Sequence, residues 1–236
     1  MTIPSCSIII PVYKEPKIKK TILDIIETFT QEKLDFEIIV VVDNADFDDT
    51  YSIVQELAVQ HQEIKSFFRE EKKGVADAIK TGILNAEKNV TLIVMGDGSE
   101  SSETLINLVS KMSQNYDMVF ANRFSAQSKI KSYPKKKLFA NRLCNFVIKF
   151  LFNFKSQDIT NAVKVYKTNI LKNLILDSQG FEIFAEIPLK LFKQGFRNFT
   201  EITIDHDAGD EKYSKFDIFR EGPRYFKIIL KCFFQN

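Results

Sequence analysis

The chain reads as an α/β protein: a mainly parallel sheet with helices on both faces, followed by a C-terminal amphipathic helical extension. Three observations predict this. Short apolar runs alternate with segments of helical periodicity through the first half. The connections between them are short, as in βα units that build a parallel sheet. At 236 residues, 44% of them hydrophobic, the chain is long enough to bury one large core. The expected division is one α/β domain over residues 1–216 and an amphipathic, membrane-proximal helix over 217–236.

The elements follow in order. CSIIIPV (6–12) is a buried strand, and Ile18, Ile22, Ile25, Ile26 and Phe29 recur at helical spacing after it. FEIIVVVD (36–43) is a second strand, DTYSIVQELAVQ (49–60) a second helix and IKSFFR (64–69) a third strand. Val75, Ile79, Ile83 and Ala86 mark a third helix. VTLIVM (90–95), the helix around LINLVSKM, and YDMVFA (116–121) complete the alternation. Asp43 and Asp97 stand at the carboxyl ends of the second and fourth strands, where open α/β sheets bind ligands. Asp48 and Asp49 before the second helix, and Ser101 and Ser102 before the fourth, read as caps.

Beyond residue 125 the rhythm changes. LCNFVIKFLFNF (143–154) places Asn145, Lys149 and Asn153 four apart, a narrow polar stripe on a broad apolar helix. PRYFKIILKCFF (223–234) sets Arg224, Lys227 and Lys231 on one side. Packing under the sheet explains both patterns, and two basic, Phe-rich helices also suit a membrane surface.

Composition narrows the classes. The formal net charge of +2 gives no field that argues for nucleic acid. The basic run KIKSYPKKKLFANRLCNFVIK (129–149) contains no acid, which suits a phosphate or lipid headgroup or a solvated loop. Cys6, Cys144 and Cys232 have neither zinc spacing nor a disulfide framework, which favours a reducing compartment. The first apolar run is too early and too short for a signal peptide, and no run approaches a membrane span. A cytoplasmic protein, peripheral at the inner membrane face, is expected.

Four ordered segments, SIIIPVYKEP, VVVDNADFDDT, KKGVADAIKTGILNA and IVMGDGSESSE, resemble the family 2 glycosyltransferases of the GT-A fold. FANRF, DITNAVKVY, GFEIFAEI and AGDEKYSKF extend the likeness to the branch of dolichyl-phosphate mannose synthase and bacterial polyprenyl-phosphate sugar transferases. The resemblance implies a nucleoside pocket at Pro11, Tyr13 and Glu15, with Asp43 and Asn44 at the second strand end and Lys73 and Gly74 opening the third helix. It implies that Asp97 binds Mg²⁺ or Mn²⁺ with the donor diphosphate. Met95 stands where the family usually has the first acid, so phosphate and water must complete the site, with Ser99 or Glu100 adding an oxygen.

On the acceptor side the resemblance assigns Arg123 to the acceptor phosphate. Lys136, Asn141 and Arg142 lie in the basic stretch that leads into the apolar helix. Asp158 and Asn161 match a polar pair that shapes the sugar pocket, and Glu186 an acidic position directed toward sugar or acceptor. An arginine that the family often has is missing near His206-Asp207, so Lys215, helped by Lys212, and His206 are the remaining phosphate-binding candidates.

The implied reaction is inverting sugar transfer from a nucleoside-diphosphate sugar. A polyprenyl phosphate acceptor needs no general base; a saccharide or lipopolysaccharide hydroxyl does, with Glu186 first and Asp158 second. Two other classes remain open. A sugar-1-phosphate nucleotidyltransferase would release pyrophosphate, and a catalytically weak nucleotide-sugar-binding homologue would bind without turnover. The oligomeric state is not legible.

Overall fold

The computed structural model describes residues 2–43, 49–69, 74–207 and 217–235. The chain alternates β1 (Cys6–Val12), α1 (Ile18–Gln31), β2 (Phe36–Asp43), α2 (Thr50–Gln60), β3 (Ile64–Arg69), α3 (Val75–Asn85), β4 (Val90–Ile93), α4 (Ser102–Lys111) and β5 (Met118–Asn122). The second half holds β6 (Ile130–Lys131), α5 (Lys135–Phe152), β7 (Lys164–Lys167), α6 (Thr168–Lys172), α7 (Ile183–Lys193), β8 (Phe199–Thr203), β9 (His206–Asp207) and α8 (Ile218–Phe234).

Seven strands form one sheet in the order β3-β2-β1-β4-β7-β5-β8. β7 runs antiparallel to both its neighbours; every other pairing in this sheet is parallel. β6 and β9 make a separate two-stranded ribbon. The strands read as continuous apolar runs because both faces are covered. Ile8, Ile10, Ile38 and Val40 enter a core shared with α1, α2 and α4, while Ile9, Ile39 and Val41 enter a second core shared with α3 and α5 to α8.

The order reverses at β1. The chain steps from β1 to β2 and β3 on one side, then crosses back to β4 on the other, which opens a crevice beyond the carboxyl ends of β1 and β4. Pro11 fits this point. The last β1–β4 pair is Ile9 with Ile93, and the Ile9 carbonyl accepts from Val94 N–H. Odd positions of β1 therefore face β4, and Pro11 lies where that pairing has ended, so its missing N–H costs no ladder bond.

Helix α8 is integral to the second core: it buries Tyr225, Ile228, Ile229 and Cys232 there. Helix α5 begins eight residues before the apolar segment that announced it, directly after Pro134. Its Asn145 points inward and is buried, while Phe139, Phe146 and Phe150 are exposed. The polar stripe is thus partly inside, for reasons that lie in the site.

α3 lies close on the sheet because Gly82 has no side chain: a Cβ there would stand 2.4 Å from Cγ2 of the fully buried Ile9. Neither partner can move away in a close-packed interior. Gly82→Val is expected to cost about 3 kcal/mol in urea-monitored stability; an unchanged midpoint would show that this contact is not tight.

Candidate active site

The crevice is floored by the turn after β4. Val94 and Gly96 are buried, and the exposed Asp97 follows. Thr21 of α1 holds the turn: its hydroxyl lies 3.0 Å from the Gly96 carbonyl and 3.1 Å from that of Lys17. Gly98 has φ +66, and a Cβ on it would stand 2.9 Å from the Thr21 hydroxyl, so the reversal needs glycine. Asp97 Oδ1 then accepts from Ser99 N–H (3.0 Å) and lies 2.7 Å from Ser99 Oγ, which also lies 3.0 Å from Glu100 Oε2. Two carboxylates share one hydroxyl proton. Burial and the neighbouring Asp97 push Glu100 up to about 7.

No cluster of three or more metal-ligating side chains occurs among the described residues. The group present, two carboxylates and a hydroxyl at a turn, is nevertheless an all-oxygen set of the kind that holds Mg²⁺ or Mn²⁺ when phosphate and water supply the remaining ligands. The crowding of Asp97 and Glu100 is what a cation would relieve. The donor chemistry fits.

Arg123 stands at the end of β5. Asp158, fully buried, grips it from three directions: Oδ2 accepts from Arg123 N–H (2.9 Å) and Nε (2.8 Å), and Oδ1 from Nη2 (2.8 Å). Burial works against the charge on Arg123, but Asp158 beside it raises its pKa and keeps it ionised. Glu100 and Tyr133 act on the same guanidinium, which ties this group electrostatically to the turn that carries Asp97. Arg142 of α5 stands 5.2 Å from the Phe124 ring, and Arg123 stands 5.2 Å from the same ring. Two guanidinium groups therefore flank one aromatic at the mouth of the site.

A ring of polar residues fixes the loop that carries Asp158. Asn145 Oδ1 accepts from Ile159 N–H (2.7 Å) and Thr160 N–H (3.3 Å), and its amide lies 2.8 Å from Thr160 Oγ1. Asn141 lies beside Thr160 and donates to Tyr133 Oη at 3.1 Å. Behind them, Glu201 accepts from Asn122 Nδ2 (2.9 Å), Ser156 Oγ and Gln157 N–H. Asn161 donates to the Ala121 carbonyl (2.8 Å).

Several sequence assignments change here. Asp158 is no free base, since both its oxygens hold Arg123. Glu186 is none either: it is fully buried, its oxygens accept from Asp177 N–H (2.7 Å) and Ser178 N–H (2.9 Å), and Lys190 lies 2.8 Å away. Asp43 clamps the start of α3, accepting from Gly74 N–H (2.8 Å) and pairing with Arg69 (2.8 Å). Gly74 has φ +88. Asn141 lies in the supporting ring, while Lys136 is exposed on the first turn of α5. Pro11 is buried within β1; Tyr13 and Glu15 are half-buried in the segment after it, with Glu15 N–H donating to Thr50 Oγ1 (3.1 Å). His206 pairs with Ile130 in the ribbon and lies 5.4 Å from the Tyr133 ring. Asn44, Lys73, Lys212 and Lys215 lie outside the described residues. Ser101 does cap α4, accepting from Thr104 N–H; Asp49 occupies the N-cap position of α2 without a side-chain cap bond.

Sequence reading missed Asn122, Glu201 and Lys164. Lys164 opens β7, register-paired with Ile93 and Phe120, between the strands that lead to Asp97 and Arg123. It is fully buried, and its ammonium donates to the carbonyls of Asn161 and Phe184 with no carboxylate within ion-pair distance among the described residues. A lysine inside VKVY was the available signal.

Two expectations follow. Asp158→Asn strands a buried guanidinium and should cost roughly 3–5 kcal/mol in denaturant unfolding; unchanged stability would mean that the pair holds nothing. Burial lowers Lys164 to about 7, against about 10.4 unfolded. Between those values the unfolded chain binds the extra proton, so this group's penalty is full below pH 7 and fades as pH rises. Urea stability of the wild type relative to Lys164→Met should therefore improve from about pH 6.5 to about pH 9.5, and a constant difference would refute the shift.

Comparison with known proteins places the chain. The Glycosyl transferase family 2 model matches residues 7–175. The polyprenol monophosphomannose synthase of Mycolicibacterium smegmatis is 24% identical over 165 residues, 67% of this chain and 62% of that protein. The dolichol-phosphate mannosyltransferase of Pyrococcus furiosus is 25% identical over 187 residues, 78% of this chain and 52% of that one. The chain thus spans only about half to two thirds of the length of these relatives. In fold it is similar to glucosyl-3-phosphoglycerate synthase from Mycobacterium tuberculosis, solved with Mn²⁺, uridine diphosphate and phosphoglyceric acid, at TM-score 0.73 and 12% identity over 99% of this chain and 80% of that one. The mainly parallel sheet is the GT-A architecture, and the chain belongs to glycosyl transferase family 2.

Proposed function

We propose that this chain transfers a sugar, with inversion, from a nucleoside-diphosphate sugar to a polyprenyl phosphate. The observation that carries the acceptor assignment is the state of the two carboxylates assigned to proton removal. Asp158 and Glu186, the two carboxylates assigned to proton removal, both have their oxygens committed to structural partners. An acceptor that is already an anion requires no base. What it requires is a fixed cation, and Arg123, held in a fork by Asp158, supplies one.

The roles follow from the geometry. Asp97, with Ser99 and Glu100, would hold Mg²⁺ or Mn²⁺ against the donor diphosphate. A divalent ion there supplies positive charge to the leaving group. Tyr13 and Glu15, beyond β1, border the crevice for the nucleoside. Arg123 and Arg142 orient the acceptor phosphate, and the preformed fork means that little reorganisation is needed as charge moves. One oxygen of that phosphate forms the new bond to the anomeric carbon. The bond from that carbon to the donor's β-phosphate oxygen breaks, and its electron pair leaves with the nucleoside diphosphate. No proton changes hands. Support for the acceptor class also comes from the two curated relatives whose names specify polyprenol and dolichol-phosphate substrates.

The test is a donor screen over UDP-, GDP-, CDP- and dTDP-sugars with Mg²⁺ or Mn²⁺, offering a short polyprenyl phosphate or a saccharide. Nucleoside diphosphate release is expected with the lipid phosphate, and Asp97→Ala should lower it by roughly 10²–10³. Full activity of Asp97→Ala sinks the metal assignment. Turnover on the saccharide alone sinks the acceptor assignment, and pyrophosphate release would identify a nucleotidyltransferase.

A further inference from the structure

Helices α5 and α8 carry an unusual surface. α5 exposes Phe139, Leu143, Phe146 and Phe150, at spacings of four, three and four, so the four form one stripe. Phe146 is 65% and Phe150 78% exposed. α8 exposes Phe219 (91%) and Phe226 (62%), and Phe233 continues their seven-residue interval. The opposite faces of both helices are buried in the same core, through Ile148 and Phe152 of α5 and Tyr225, Ile228 and Ile229 of α8. The helices touch where Phe152 meets Phe233, ring centroids 5.7 Å apart. Their apolar stripes therefore both look away from the same side of the sheet. Scattered surface phenylalanines need no explanation, but two neighbouring stripes do.

The charges on this surface identify what covers it. α5 has no acidic residue, and its Lys135, Lys136, Arg142 and Lys149 are exposed. The single acid of α8, Glu221, is fully buried against Arg220 and Arg224, while Lys227 is exposed. A second copy docking face to face would set these cations against one another. An anionic bilayer complements them, and basic helices with an aromatic face lie at the boundary of headgroups and acyl chains.

We propose that α5 and α8 together form an interfacial docking surface for an anionic lipid bilayer, with the Phe stripes entering the headgroup region and the Lys and Arg side chains held at its surface. No described helix is long and apolar enough to cross the membrane, so the contact lies in the interface plane. Both helices start at the site end of the sheet: α5 just after Tyr133, whose hydroxyl meets Asn141, and α8 with Glu221 of its first turn accepting from Phe181 N–H (3.4 Å) in the loop before α7, whose Gln179 carbonyl lies against Gly74 at the start of α3. The mouth near Arg123 and Arg142 then opens at the lipid surface, where a polyprenyl phosphate presents its headgroup. The purpose of this docking rests on the acceptor reading; its test does not.

The chain contains no tryptophan, so Phe146→Trp and Phe226→Trp are single reporters at exposed sites. With vesicles of phosphatidylcholine and phosphatidylglycerol both should shift to the blue and be quenched by brominated lipid. Partitioning should be at least about tenfold stronger than to pure phosphatidylcholine, and salt should weaken it. Phe146→Ser with Phe150→Ser, and Phe219→Ser with Phe226→Ser, should each lower partitioning about tenfold at unchanged circular dichroism. Turnover on a short, water-soluble polyprenyl phosphate should be unaffected. Unshifted reporters, unchanged partitioning of the Ser variants, or a concentration-dependent dimer that those variants abolish would each overturn the proposal. Vesicle docking without turnover on polyprenyl phosphate would retain the surface and remove the acceptor assignment instead.

Discussion

A guanidinium taken out of water must be paired and fully hydrogen-bonded, and at Arg123 that requirement organises the site. Asp158 meets it with both oxygens and a backbone contact. The loop around Asp158 must then be fixed in turn, which Asn145 does from α5, Asn161 from β5's Ala121 carbonyl, and Glu201 through Ser156 and Gln157. Three elements distant in sequence are tied to one cation. A charge held this way would keep its direction at no further cost if, as proposed, it receives a phosphate, which is what preorganised electrostatic stabilisation demands.

The other half of the site is built on the opposite logic. Asp97 is exposed, close to Glu100, and anchored through one oxygen. The polypeptide around it is held by Thr21, which ties the Gly96 carbonyl to α1, and among the described residues no lysine or arginine stands within ion-pair distance of its carboxylate. With Met95 in place of a further acid, the donor phosphates must contribute to any cation's shell. On the proposed reading this assembly is completed by its substrate, whereas the Arg123 cation is fixed beforehand by Asp158.

How much of this was legible follows from where each signal lies. FEIIVVVD and CSIIIPV declared buried strands because both faces of a parallel sheet are covered, and the position of Asp97 just past the end of β4 was legible because strand ends and glycines are local features. β7 was not legible: KVYK is short, carries a lysine at each end, and its antiparallel insertion between β4 and β5 depends on contacts with segments far away in sequence. Asn145 was visible as a polar residue on an apolar helix, but periodicity cannot tell which face of such a helix turns inward. Its inward turn is dictated by the unpaired N–H groups of Ile159 and Thr160, which no local pattern reveals. Glu186 illustrates the converse. Its residue type and segment suited a base, and only the Asp177 and Ser178 amides and Lys190 show that it serves the chain itself.

The same inversion accounts for the surface. Because α5 spends its inward face on Asn145, Ile148 and Phe152, its remaining aromatic residues have nowhere to go but outward. A helix selected only for packing would place Phe146 and Phe150 inside and asparagine in solvent, where neither would need compensation. Keeping a buried asparagine and exposed phenylalanines together is coherent when the inward polar group secures the loop that holds Arg123 and the outward rings have a non-aqueous neighbour. On the proposed reading one helix couples the two demands: its inner face would fix the cation for an anionic headgroup, and its outer face would meet the phase from which such a headgroup projects.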